Sequence, residues 1–179
     1  MNEKKKILGD QRRAVILNQL IDKGAPITGG VLAKLTNVSR QVIVSDITLL
    51  KAKNEPIIAT SQGYMYMPQA TIGVVERTVA CQHSPDRAEE ELNLLVDHGV
   101  TVKDVKIEHS VYGDLTASIM VSNRKEVTNF LEKIKNTGAA YLSQLTEGVH
   151  LHTLAASSEK QLTDAEDALK KAGFLIEPN

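Results

Sequence analysis

The hydrophobic pattern changes character near Pro68-Gln69-Ala70-Thr71, and that break limits the possible folds more than any other feature. Before it, apolar residues recur three times at helical spacing and then form one short alternating pair of runs. After it, period-two and helical segments follow one another to the end. The 179 residues therefore read as two modules, 1–68 and 72–179, each of ordinary domain size. Charge divides at the same place. Residues 1–68 carry ten Lys and Arg against five Asp and Glu, whereas 69–179 carry eleven against seventeen. A basic module joined to an acidic one points to a polyanionic partner for the first.

Within the first module, Ile16, Leu17, Leu20 and Ile21 mark a helix from about Gln11 to Lys23, ended by Gly24 and Pro26. A short second helix follows Thr28, with Leu32, Ala33 and Leu35 apolar. Asn37 suits the positive φ of a tight turn, and Ser39 caps a third helix reaching about Lys53. On that helix Ile43, Ile47 and Leu50 face inward, leaving Arg40, Gln41, Val44 and Ser45 projecting. Small Ala33 lets the two helices approach, and Val38 and Ile43 fill their angle. Ile57–Thr60 and Tyr64–Met67 form a hairpin closed at Gly63. This is a helix-turn-helix with a wing. Arg pairs with guanine and Gln with adenine in the major groove, so Ser39, Arg40, Gln41, Val44 and Ser45 are the candidate DNA-reading residues. Lys4-Lys5-Lys6 and Arg12-Arg13 are expected on phosphates. Helix-turn-helix recognition of paired half-sites implies a homodimer on double-stranded operator DNA.

The second module reads as a strand at Thr78–Gln82, a helix opened by Ser84-Pro85-Asp86, and strands at Val105–His109 and Leu115–Val121. A helix over Arg124–Thr137, a strand over Val149–Leu154, a helix over Glu159–Ala172 and a closing strand Phe174–Ile176 follow. The expected class is α+β: a winged helix-turn-helix followed by a two-layer α/β sandwich with helices on one sheet face. His150-Leu151-His152 on a strand puts both imidazoles on one face, a common arrangement for a divalent metal. Glu91 turns toward the apolar side of its helix and needs a cation or a hydrogen-bond partner there. His98, near that helix's C-terminus, reads as structural.

The segment ITGGVLAKLTNVSRQVIVSDITLLKAKNEPIIATSQGYMY resembles the winged helix-turn-helix of niacin-responsive transcriptional repressors, with VSRQVIVSDI its most specific part. Residues 78–177, through CQHSPDRAEEEL, IEHSVYGDL and LTEGVHLHTL, resemble the three-histidine (3H) domain of the same family. That resemblance implies a metal held by His83, Glu91, His150 and His152, and nicotinic acid as corepressor of genes for NAD synthesis or niacin uptake. Three imidazoles and a carboxylate suit Zn, Ni, Fe or Co. The family's turn before the HLH pair carries two glycines, where this chain has Glu147-Gly148. His109, Tyr112 and Arg87 are candidate effector contacts.

A regulator answering to the metal itself is the alternative. An enzyme with Glu108 or Glu147 as base is disfavoured, since no carboxylate beyond the ligands is evidently placed for that work. No run of ~18 uncharged apolar residues suggests a membrane span. The single Cys81 excludes an internal disulfide. The N-terminus MNEKKKILGD has no secretory pattern, so a cytoplasmic location is expected.

Overall fold

A computed structural model describes residues 8–67 and 73–177. It separates into two compact units, Met1–Ala70 and Thr71–Asn179. The boundary residues Pro68 to Thr71 and the lysines at 4–6 lie outside the described residues.

The first unit consists of α1 (Gly9–Lys23), α2 (Gly29–Thr36), α3 (Arg40–Ala52) and the hairpin β1 (Ile57–Thr60) and β2 (Gly63–Tyr66). Its helix ends follow the sequence signals. Gly24 and Asn37 take left-handed conformations at the ends of α1 and α2, and the Ser39 hydroxyl accepts from Val42 N–H at the start of α3. Ile16, Leu20, Leu32, Ile43, Ile47 and Leu50 form the core with Ile27 and Ile57. Removing any of the large ones would cost roughly 2–5 kcal/mol. Tyr64 exchanges two backbone hydrogen bonds with Ile27, which fastens the wing to the α1–α2 connection. At Gly63, with φ of 135°, an added Cβ would stand 2.5 Å from the Ile27 carbonyl oxygen, so no larger residue fits.

The second unit is a four-stranded antiparallel sheet of β3 (Val75–Gln82), β4 (Thr101–His109), β5 (Gly113–Ala117) and β6 (Val149–Ala156), in the order β3-β6-β4-β5. Helices α4 (Ala88–Asp97), α5 (Arg124–Thr137) and α6 (Glu159–Lys171) cover one face. On β6 the alternation is plain. His150, His152, Leu154 and Ala156 are buried, while Val149 and Leu151 are about 40 % exposed on the open side.

The structure corrects two strand expectations. Met120 adopts a positive φ, so β5 ends at Ala117 and Val121 makes only an isolated bridge to Val102. Phe174–Ile176 is likewise no strand of its own: Leu175 bridges Cys81 at the outer edge of β3, after the turn at Gly173.

Candidate metal and effector site, and the DNA-reading helix

Two strands and one helix build a buried donor cluster. On β6, His150 and His152 point toward the helices; opposite them in register lie Cys81 and Val79 of β3. His83 follows two residues after Cys81, immediately beyond the strand end. Above them Glu91 descends from the first turn of α4, with a side chain only 2 % exposed. Its Oε2 is 2.7 Å from Nε2 of His83 and 3.3 Å from Nε2 of His152. Its Oε1 faces Nε2 of His150 at 3.4 Å and has no hydrogen-bond partner among the described residues. The four residues named from sequence are thus brought together.

The outer nitrogens of the rings are committed elsewhere. Nδ1 of His83, His150 and His152 meets the carbonyl oxygens of Ser84, Gly148 and Asp104 at 2.8, 2.8 and 2.6 Å. A carbonyl only accepts, so each Nδ1 carries the proton and each neutral ring offers an Nε2 lone pair inward. Of the four residues, only Glu91 and His150, together with Cys81, have ligand atoms all within 4.8 Å of one another. Three lone pairs gathered about the Glu91 carboxylate repel it unless a cation stands among them. Without a metal, protons take that part. Burial lowers the basicity of His83 and His152, but Glu91, by hydrogen bond to the first and by charge to the second, raises both above the ordinary imidazole value. Burial pushes Glu91 up, yet the charge of His152 and the three imidazole contacts hold it well below the usual carboxylate range. Orphaned Glu91 Oε1, inward-facing Nε2 atoms and backbone-fixed rings together fit a divalent transition ion.

Two backbone irregularities make this possible. Lys103 is an extra residue in β4, between Val102 paired with Leu154 and Asp104 paired with Thr153. Val102 and Val105, three apart in sequence, therefore both face the helices, and the Asp104 carbonyl is turned to receive His152. At Gly148, with φ of 90°, an added Cβ would lie 2.2 Å from the His83 carbonyl oxygen. Neighbouring Glu147 takes the left-handed conformation itself, at φ 52° and ψ 34°.

A cavity of about 290 Å³ opens onto the cluster, walled by Val105, Ala117, Ile119, Phe130 and Ile134, with Tyr141 and Ser143 adding hydroxyls. These last two flank the start of a 3-10 turn, Leu142–Thr146, that gave no periodic signal in the sequence. Burial raises the Tyr141 phenol pKa further, so at neutral pH it is a hydrogen-bond donor. The residues proposed from sequence to meet the effector lie elsewhere. His109 Nδ1 accepts from the N–H groups of Val111 and Tyr112, closing the β4–β5 hairpin, and Tyr112 is 74 % exposed. Arg87 lies over Phe174, paired with Glu90 and donating to the Ala172 carbonyl. None of the three lines the cavity. Their nearness to Glu91 or to the strand end in sequence did not carry over to the site. His98 Nδ1 donates to the Leu94 carbonyl, a structural contact.

In the first unit, Ser39, Arg40, Gln41, Val44 and Ser45 are all exposed along the N-terminal half of α3. Arg12 and Arg13 do not stand free for phosphate. Both bond the carboxylate of Asp46, Arg12 through two nitrogens, and Arg12 is buried with it. These two arginines fasten α1 to the inner side of α3, a pairing across 34 residues that local sequence spacing does not reveal.

Residues 76–178 match the 3H domain and residues 12–65 a helix-turn-helix domain. The chain belongs to the 3H-domain family. Transcription repressor NadR of Bacillus subtilis (strain 168) is 61 % identical over 178 residues, spanning 98 % of this chain and 99 % of its own length. The probable transcription repressor NiaR of Thermotoga maritima is 38 % identical, across 96 % of this chain and 97 % of its own. In this chain the 3H domain follows a helix-turn-helix domain in sequence, as expected of a DNA-binding transcription repressor of this family. No described helix is long and apolar enough to cross a membrane.

Proposed function

We propose that this protein is a dimeric repressor of NAD-synthesis or niacin-uptake genes. In this reading His83, Glu91, His150 and His152 hold a divalent transition ion, and nicotinic acid occupies the adjoining cavity as corepressor. The observation that carries it is the continuity of the two features: an apolar cavity whose inner wall is the histidine cluster. At about 290 Å³ it lies at the small end of ligand pockets, which run ~300–1,000 Å³. A one-ring ligand suits that space. Its flat apolar body would lie against Phe130, Ile119 and Val105, and its ring nitrogen or carboxylate would face the ion. The polar group left over would find the hydroxyls of Tyr141 and Ser143.

The ion, when bound, supplies a Lewis-acid anchor for that anionic or nitrogen donor. The chain's own groups orient the rings through backbone carbonyls, exclude water and fix the cavity's shape. On the other unit, Arg40 and Gln41 read base edges while Ser39 secures the start of their helix. A corepressor must bind the operator-competent state more tightly; complete switching needs ~10⁴-fold preference.

Fluorescence anisotropy of labelled DNA from upstream of the gene tests this directly. Nicotinic acid should tighten binding, nicotinamide should not, and chelation should abolish the response. A response to metal with none to nicotinic acid would overturn the niacin assignment in favour of a metal sensor.

A further inference from the structure

Cys81 is fully buried on β3, on the same side of the sheet as the histidines. Its strand partner is His150; His83 lies two residues further along the same segment, and His152 lies two residues along β6, opposite Val79. Ligand atoms of Cys81, Glu91 and His150 all lie within 4.8 Å of one another. Independently, Glu91 Oε1 is sealed from solvent with no hydrogen-bond partner among the described residues, although its residue is 2 % exposed. His83 and His152 gather about the other oxygen, Oε2. The side of Glu91 that faces His150 is therefore short of a cation, and a sulfur stands beside it.

We propose that Cys81 is a fifth donor of this centre, coordinating the bound ion through sulfur and biasing the site toward thiophilic metals. This rests on the reading that the cluster holds a metal. A buried cysteine is often only a small apolar side chain. Here, however, its neighbours are a carboxylate and an imidazole. On coordination the S–H bond breaks, its proton leaves to solvent, and the sulfur lone pair forms the metal–sulfur bond; no electron is transferred. Thiolate favours Zn, Co, Ni and Cu over the hard ions Mg and Mn, which His and Glu alone discriminate less. With three imidazoles, one carboxylate and one thiolate, a six-coordinate ion keeps a single position for a ligand from the cavity.

The chain contains one cysteine, so any sulfur signal reports on Cys81 alone. Full-length metal-free protein titrated with Co²⁺ should develop visible d–d bands together with an intense near-ultraviolet sulfur-to-cobalt band. In Cys81→Ser the d–d bands should persist and the sulfur band should vanish, along with the preference for Cd²⁺ over Mn²⁺. Should that variant fail to fold, the wild-type spectrum still decides. Visible bands without the sulfur band would overturn the role of Cys81 and leave the metal site standing. No cobalt bands at all would overturn both.

Discussion

Each half of this molecule buries a carboxylate on a helix, and the two are equally hidden: Asp46 and Glu91 are each 2 % exposed. Their partners differ. Asp46 is held by the guanidinium groups of Arg12 and Arg13, which never lose their charge in practice. Glu91 is surrounded by imidazoles, which do. The first arrangement can only be kept or broken. The second has partners that can give up their protons, as the proposed ion would require. A buried acid is thus a rivet or a ligand according to whether its partners can give up their charge.

The largest effect should come from breaking the rivet. Arg12→Ala leaves Asp46 buried with Arg13 alone and should destabilise the first unit by about 3–5 kcal/mol. Urea unfolding measures this, and calorimetric metal affinity should be unchanged. Loss of metal binding in that variant would collapse the distinction drawn here. Next, Glu91→Gln should weaken metal affinity by more than ~100-fold, beyond the usual cost of losing an outer partner of a ligand. Asp46→Asn should leave metal affinity untouched; equal losses in both variants would mean general unfolding.

A smaller effect should appear with pH. His83 and His152 are more basic in the folded chain than in the unfolded one. The stability they contribute is complete below about pH 6.5, the unfolded imidazole value, and is lost as pH rises through their raised folded values. Glu91, depressed when folded, contributes above the ordinary carboxylate range and loses that only as pH falls through its lower folded value. Chelated protein should therefore weaken on the alkaline side, and a bound ion should remove that slope by replacing the protons. Denaturation midpoints across pH, with and without chelator, would show it; a slope unchanged by metal would break the argument. Smallest of all, Glu147→Gly should stabilise the fold by at most about 1 kcal/mol, because a left-handed side-chain-bearing residue costs roughly 1–2 kcal/mol and glycine gives some of this back as entropy. A thermal shift downward would show that the Glu147 side chain makes a compensating contact.

Much of this was legible in the sequence, and the reasons are local. Ser39, Asn37, Gly24 and the 43–47–50 spacing specify helix ends and faces within a few residues of themselves. The HLH pair declares its common face by strand alternation alone. What escaped depended on distance or irregularity. Asp46 finds Arg12 only after α1 and α3 pack. The bulge at Lys103 moves Val102 and Val105 onto one side against simple alternation. Tyr141 and Ser143 lie at a short 3-10 turn, too brief to print a period. Cys81 drew notice only for the disulfide it could not form, since its meaning comes from the strand opposite.

The pairing of β3 with β6 sets Cys81 against His150 and Val79 against His152. A slip of one residue on β6 would turn Val149 and Leu151 toward the helices and carry both imidazoles to the open side. The donor set exists in one register alone. An ion that binds there is a proofreader of strand pairing: by mass action it draws the population toward copies whose sheet has closed correctly, and it leaves slipped chains without a partner.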